Sequence, residues 1–112
     1  MRTIAADFTD CDIYPQIKIE LDQLEIGILI NNVGMSNGGA GKVFASIEED
    51  SSLKGIMNCN AMSMVRMCHM VVPKMVNRKR GVIVNVGSIT HAMPTPLIAV
   101  YGATKVRTAS LF

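Results

Sequence analysis

Two short apolar runs, at residues 26–33 and 82–86, constrain the fold of this chain more than any other feature. Both are dominated by isoleucine, leucine and valine, without a regular alternation of apolar and polar positions. Continuous runs of this length are typical of parallel strands that are covered on both faces. Parallel strands also need a long connection, which the segment between the runs provides. The sequence therefore predicts two buried strands of a parallel sheet.

Segments with helical periodicity separate the predicted strands. The other predicted elements are a strand at residues 2–6, helices at residues 12–24, 48–79 and 99–112, and loops at residues 35–47 and 91–97. Pro15 falls in the first turn of its helix, where proline is tolerated, whereas Pro73 should kink or interrupt the long helix. The alternation of strands and helices predicts a doubly wound α/β sheet.

Three polar residues near the end of the chain indicate carbonyl chemistry. Tyr101 and Lys105 stand four positions apart, so in a helix their side chains share one face. A phenol is a poor acid at neutral pH, and a lysine ammonium one turn away stabilises its anion. Ser88 ends the strand-like run that starts at Gly81, where its hydroxyl can bond a carbonyl oxygen that the tyrosine protonates. The spacing predicts acid catalysis on a ketone.

The motifs around these residues resemble those of the short-chain dehydrogenase/reductases, in particular the branch that holds the very-long-chain 3-oxoacyl-CoA reductases and estradiol 17-beta-dehydrogenase 12. The segments that carry the resemblance are residues 3–8, 24–36, 60–63 and 81–105. Within them, Asn31-Asn32-Val33-Gly34 stands where the family has Asn-Asn-Ala-Gly.

The resemblance implies an oxidoreductase that uses NADP(H) to interconvert a ketone and a secondary alcohol. The implied substrate is small and apolar, either a 3-oxoacyl-CoA of fatty acid elongation or a 17-keto or 17-hydroxysteroid. The catalytic residues carried over from the family are Asn60, Ser88, Tyr101 and Lys105, and the cofactor-binding residues are Asp7, Asn31, Val33, Gly34, Tyr101 and Lys105.

The resemblance also implies a role for each catalytic side chain. Tyr101 would be the general acid, Lys105 would stabilise its anion and bind the nicotinamide ribose, and Ser88 would orient the carbonyl group. Asn60 would hold a water that relays protons to Lys105. Asp7 would contact the adenine ring.

Several of these residues also have simpler interpretations. Asp7 can cap the next helix, and Asn31 can join neighbouring strands through its amide. Ser88 can cap a helix or a turn. Asn58 competes with Asn60, although only Asn60 has a small residue at the family's spacing.

The resemblance leaves out the family's first two strands, its glycine-rich phosphate turn and its last strands. The expected fold is therefore a partial doubly wound, Rossmann-like sheet over residues 1–112. Residues 2–6 would be the third strand, whose sole neighbour is the second. We expect this polypeptide alone to be inactive and poorly soluble or partly unfolded, as the product of an incomplete gene model or a partial transcript.

The alternative hypothesis is a non-catalytic product that pairs with a full-length relative. The resemblance implies a homodimer through the helix at residues 60–76 and residence at the endoplasmic reticulum. The glycine-rich segment at residues 38–42 is similar to a phosphate loop, but Ser36 and Val43 depart from that motif. It is interpreted as an ordinary loop.

Composition excludes several classes of function. The chain has 112 residues, of which 49% are hydrophobic and 18% charged, so it can supply the core of one domain. A net charge of +2 is too small to indicate nucleic acid as a partner. The basic cluster at residues 78–80 is interpreted as a helix end, with Gly81 as its left-handed cap.

The cysteines and histidines indicate no metal site or disulfide framework. Cys11, Cys59 and Cys68 are odd in number and lack C-x-x-C spacing, so they are interpreted as reduced apolar residues. His69 and His91 have no partner at metal-ligand spacing. No apolar run reaches the length of a membrane span, and no signal peptide is visible.

Overall fold

The computed structural model describes residues 1–36, 44, 47, 50–93 and 95–108. The helices are α1 at Tyr14–Asp22, α2 at Asp50–Met57, α3 at Ser63–Asn77 and α4 at Ala99–Thr108, and the strands are β1 at Ile28–Asn31 and β2 at Val82–Asn85. A π-helical turn at Asn58–Met62 joins α2 to α3, and a 3-10 turn at Ile89–His91 follows β2. This order confirms the predicted α/β class. Most of the predicted loop at residues 35–47 lies outside the described residues.

The two strands form a parallel pair, as predicted. Ile28 lies opposite Val82, and Asn31 lies opposite Asn85. The ladder continues past the strand end, since the amide of Val86 donates to the carbonyl of Asn31 at 2.9 Å. The carboxyl ends of both strands therefore meet at one edge of the sheet.

Helix α3 supplies most of the core. Its buried residues pack on Leu29 of β1, and this cluster comprises Leu29, Met64, Cys68, Val71 and Met75. Of the two outcomes expected at Pro73, the break is absent, because α3 runs through that position to Asn77. Val71 and Met75 are buried on either side of the proline, so tertiary packing holds the helix where local preference opposes it.

The expectation that both faces of the strands are covered is wrong for the described residues. Ile28 and Ile30 are 62% and 61% exposed, and Val82 and Val84 are 53% and 42% exposed. Leu29, which points to the opposite face, is 8% exposed. The helices of the described chain thus bury one face of the pair and leave the other open.

The predicted strand at residues 2–6 is also wrong. A strand exists through hydrogen bonds to a neighbour, and the described sheet consists of β1 and β2. Arg2 joins the segment to α1 and its C-cap instead. It lies 3.7 Å from a carboxylate oxygen of Glu20 in α1 and donates at 3.4 Å to Gln23, which follows the helix.

The residue with left-handed backbone conformation after α3 is Lys79 and not the predicted Gly81. Lys79 has a φ of 54° and directs the chain out of the helix, whereas Gly81 does not adopt the left-handed conformation. Gly81 is needed for space, since a Cβ there would collide with the side chain of Met75. Among the described helices, none is long and apolar enough to cross a bilayer.

Candidate active site

The candidate site lies where β1 and β2 end. Parallel strands place ligand sites at their carboxyl ends, and here residues 32–36 and 86–88 leave the sheet at that edge. Helix α4 packs beside them and carries Tyr101 and Lys105 on one side, as predicted. The Lys105 Nζ lies 5.8 Å from the centroid of the Tyr101 ring and 3.5 Å from the carbonyl oxygen of Val86.

Asn60 is the buried centre of this region, with 2% of its surface exposed. Its Oδ1 accepts from the amide of Met35 at 2.7 Å, and its Nδ2 donates to the carbonyl of Met35 at 2.8 Å. The Nδ2 also donates to Thr104 Oγ1 at 3.0 Å. Asn60 therefore joins three parts of the molecule through hydrogen bonds. They are its own helical segment, the residues that follow β1, and helix α4. Gly34, Met35, Asn60, Thr104 and Lys105 are called the Asn60 cluster below.

The π-helical turn presents Asn60 to the site. The amide of Ser63 donates to the carbonyl of Asn58, five residues earlier, which widens the helix locally. The Ser63 hydroxyl donates to the carbonyl of Cys59 and stays inside the helix. Turns of this kind are frequent at functional sites. The small Ser63 marks this position in the sequence, although the hydrogen-bond pattern itself is not readable there.

Lys105 is the buried charge of the cluster, with 4% of its surface exposed. Among the described residues, its ammonium has one hydrogen bond, the long contact with Val86, although it carries three donors. A Cβ on Gly34 would lie 2.9 Å from the Nζ and 3.7 Å from Asn60 Oδ1. Gly34 therefore leaves room for the lysine head beside the amide.

Ser88 lies three residues beyond β2, at the start of the 3-10 turn. Its Oγ accepts from the amide of Thr90 at 3.3 Å and from the Thr90 hydroxyl at 2.9 Å, so Ser88 does cap a turn. The carbonyl of Thr90 would lie 3.7 Å from a Cβ on Gly102, next to Tyr101. The turn thus brings Ser88 to the same edge of the sheet as α4.

Asn31 has the structural contacts that its simpler interpretation predicts. Its Nδ2 donates to Asn85 Oδ1 on β2 at 2.8 Å and approaches the Cys68 sulfur at 3.4 Å. Val33 and Gly34 are exposed beyond the strand end, where a ligand can reach them.

Asp7 is exposed and shapes its own loop. Its carboxylate accepts from the amide and hydroxyl of Thr9 at 2.9 and 2.8 Å, and these bonds hold the pKa of Asp7 below its usual value. Helix α1 has Ile13 at its N-cap, so the interpretation of Asp7 as the cap of that helix is wrong.

The two asparagines of the π-helical turn bond different parts of the chain. Asn58 donates to the carbonyl of Thr9 at 2.9 Å and holds the loop after Asp7, while Asn60 faces the strand ends. Burial raises the pKa of Cys59 between them, with a further contribution from Asp7, so this cysteine stays a neutral thiol. The three cysteines are free, two of them buried.

Sequence reasoning missed Thr104 and the backbone of Met35. Thr104 is 3% exposed and donates its hydroxyl to the Tyr101 carbonyl at 2.7 Å. The sequence shows a hydroxyl residue directly before Lys105, but it does not show the bond of that residue to Asn60, 44 positions away. Met35 contributes backbone groups, which its side chain does not reveal.

Comparison with known proteins gives matches along almost the whole chain. Residues 3–112 match the family model described as short chain dehydrogenase. The chain is 44% identical over 104 residues to the very-long-chain 3-oxoacyl-CoA reductase of Rattus norvegicus, covering 93% of this chain and 33% of that protein. It is 42% identical over 107 residues to the 17-beta-hydroxysteroid dehydrogenase type 3 of Danio rerio, covering 95% and 35%.

A solved short-chain dehydrogenase from Sphingobium yanoikuyae in complex with NADPH superposes with a TM-score of 0.82 at 32% identity. The match covers 95% of this chain and 41% of that one. The chain therefore spans about a third of the length of the curated relatives it matches.

Proposed function

This chain belongs to the short-chain dehydrogenase family, and from that premise we propose that residues 1–112 form the catalytic part of an NADP(H)-dependent oxidoreductase. The reaction proposed is the interconversion of a ketone and a secondary alcohol. Residues 1–112 would then be one portion of a larger Rossmann-like nucleotide-binding domain.

The observation that carries this proposal is the buried ammonium of Lys105. A buried cation is costly unless its donors are satisfied, and one bond of 3.5 Å leaves most of the donor capacity unused. Gly34 and Met35 of the cluster are exposed beyond the end of β1, and a ligand rich in hydroxyl oxygens bound there would complete the coordination. The hydroxyl groups of a nicotinamide ribose have this chemistry.

The residues at the strand ends fit a dinucleotide. Gly34 has no side chain to obstruct an approach to Lys105, and Val33 and Asn31 border the same edge. Asp7 would contact the adenine, from a loop that its bonds to Thr9 stabilise. When bound, the cofactor supplies or accepts the hydride. The complex of a relative with NADPH supports the choice of NADP(H).

Tyr101 is the proposed general acid for reduction. Its hydroxyl would give a proton to the substrate oxygen, and Lys105 would stabilise the phenolate that remains. Ser88 would donate a hydrogen bond to the same oxygen and orient the carbonyl. Asn60 Oδ1 and Lys105 Nζ both border Gly34. A water held there would take a proton from solvent and pass it through Lys105 to the Tyr101 phenolate.

An apolar substrate suits the surface beside α4. Met93 and Leu97 are exposed, and a cleft of about 410 Å³ lies next to them, lined by Thr90, Thr95, Pro96, Ile98, Ala99, Gly102 and Ala103. The names of the relatives point to an acyl-CoA or a steroid. Of these we propose the 3-oxoacyl-CoA, because several of the similar proteins carry that name.

Homodimer formation through the segment at residues 60–76 is part of the proposal. Met62, Val65 and Val76 are exposed there and fall on one face of the helix. Residence at the endoplasmic reticulum stays a prediction from the resemblance.

A chimera tests the function directly. Residues 3–112 would replace the matching third of the rat reductase, and NADPH oxidation would be followed with a 3-oxoacyl-CoA and with a 17-ketosteroid. We expect turnover of the acyl-CoA, with weaker turnover of the steroid. A folded chimera that binds NADPH without reducing either ketone would contradict the proposal.

The non-catalytic alternative predicts a different result. In a fluorescence titration of the 112-residue chain, a saturable change with NADPH supports a cofactor site built within this segment. A folded chimera without NADPH binding would favour the alternative.

A further inference from the structure

We propose that Thr104 is a positioning residue that holds Asn60 and the Tyr101–Lys105 pair in one fixed arrangement. This inference rests on the proposed function, because it assigns Thr104 a purpose in aligning those residues. Thr104 is not among the residues that the motifs of the chain predict to be catalytic.

The hydroxyl of Thr104 is bonded in two directions inside the protein. It accepts from Asn60 Nδ2 at 3.0 Å and donates to the carbonyl of Tyr101 at 2.7 Å. With 3% of the residue exposed, water does not substitute for either contact. The first bond crosses from the π-helical turn to α4, and the second stays within α4.

The second bond alone would be unremarkable, since threonine often bonds the carbonyl one turn back in a helix. The first bond gives Thr104 its proposed role, because it attaches α4 to a side chain that is already fixed. Asn60 is clamped by the amide and carbonyl of Met35 at the end of β1. Through Asn60, Thr104 thus fixes α4, which carries Tyr101, relative to the residues after β1.

The position of Thr104 along α4 makes this connection effective. It immediately precedes Lys105, whose Nζ lies beside Gly34 and Asn60 Oδ1. It also bonds the backbone of Tyr101, one turn earlier. One hydroxyl therefore restrains both members of the pair, and losing it frees α4 to move along the strand ends.

Two substitutions separate the hydroxyl from the shape of the side chain. Thr104→Val keeps the branched shape and removes the hydroxyl, whereas Thr104→Ser keeps the hydroxyl and removes the methyl group. Thr3→Val makes the same chemical change at an exposed site, in a cleft beside α1 that no residue of the cluster lines. Each variant would be made in the chimera that carries residues 3–112 within the rat reductase.

Nuclear magnetic resonance of the Asn60 side-chain amide is the direct readout. We expect its Nδ2 protons to exchange with solvent at least about tenfold faster in Thr104→Val, because one of them loses its buried acceptor. Thr104→Ser and Thr3→Val should stay within about twofold of the unchanged chain. Unchanged exchange in Thr104→Val, or equal acceleration in Thr104→Ser, would overturn the inference.

A measurement on the unchanged chain covers the case in which the valine variant fails to fold. A nuclear Overhauser contact between the Asn60 amide protons and the Thr104 methyl group is expected, and its absence would overturn the inference. This readout needs no turnover, so it decides the role of Thr104 in holding Asn60 even where the proposed function fails.

Kinetics in the rat chimera test the alignment itself. Thr104→Val should lower kcat by about tenfold or more with little change in KM, since misaligned catalytic groups slow the chemical step more than binding. Thr104→Ser should restore most of kcat. An unchanged kcat in a folded, active Thr104→Val chimera would refute the alignment role.

Discussion

The Asn60 cluster and the open face of the sheet differ in whether the described chain supplies the groups that contact them. In the cluster, every hydrogen-bonding atom of the Asn60 amide has a partner within the described chain. On the open face, Ile28, Ile30, Val82 and Val84 are all more than 40% exposed although they are apolar strand residues. The chain therefore builds the geometry of its candidate site internally, while the described residues cover just one side of the sheet beneath it.

The largest effect should come from testing the two faces of one strand. Leu29→Ala should lower the free energy of unfolding by about 2–4 kcal/mol, because Leu29 packs on the buried side of α3. Ile30→Ala, one residue along, should cost less than about 1 kcal/mol, since Ile30 is mostly in solvent. Urea unfolding followed by circular dichroism measures both. Equal losses would show that the open face is covered in solution.

The next effect concerns the polar side of the comparison. Asn60→Ala should cost about 2–3 kcal/mol, because the amide and carbonyl of Met35 lose their partner in a buried site. Asn58→Ala is the matched control and should cost about 1 kcal/mol, for one lost bond to the Thr9 carbonyl. A smaller loss of unfolding free energy for Asn60→Ala than for Asn58→Ala would contradict the claim that the Asn60 cluster is held by its buried hydrogen bonds.

Gly34→Ala should affect the chemistry more than the stability. The new Cβ would lie 2.9 Å from Lys105 Nζ, and the flexible end of the lysine can move away at little cost in stability. We expect kcat of the rat chimera to fall by about tenfold or more, since small displacements of catalytic groups are costly. Gly27→Ala, where nothing lies within 4 Å of the added Cβ, is the control. Equal kcat in the two variants would show that the space beside Gly34 is not needed to place Lys105 for catalysis.

The smallest effect is electrostatic and lies outside both regions. The pKa of Asp22 is lowered by its hydrogen bonds with Lys18 and Lys74. A lowered pKa stabilises the fold above the carboxyl's unfolded value, near 3.9, and this contribution disappears as pH falls through the folded value. Because all three side chains are exposed, the gain is small. The stability difference between the unchanged chain and Asp22→Asn should shrink from pH 6 to pH 3. A difference that grows over this range would contradict a lowered pKa for Asp22.

Local pattern was enough to predict the elements that carry the site. The apolar runs located β1 and β2, and the four-residue spacing of Tyr101 and Lys105 correctly placed both on one side of α4. The amide of Asn31 joins the strands, as its simpler interpretation predicts.

Contacts between distant residues were less predictable. The break at Pro73 failed because core packing on both sides outweighs a local preference. The strand at residues 2–6 failed because pairing, and not composition, defines a strand. The link between Asn60 and Thr104 joins residues 44 positions apart, so no local pattern reveals it.

The central claim is that Tyr101 donates the proton in a site organised by Lys105 and Asn60. The direct test compares Tyr101→Phe with Tyr14→Phe in the rat chimera, following kcat for ketone reduction and thermal unfolding in parallel. Tyr14 is the other tyrosine of the chain, 6% exposed, and its hydroxyl has no hydrogen-bond partner among the described residues. We predict a loss of about 100- to 10,000-fold in kcat for Tyr101→Phe, with unfolding unchanged, and full activity for Tyr14→Phe. Undiminished kcat in a folded Tyr101→Phe chimera would contradict the account.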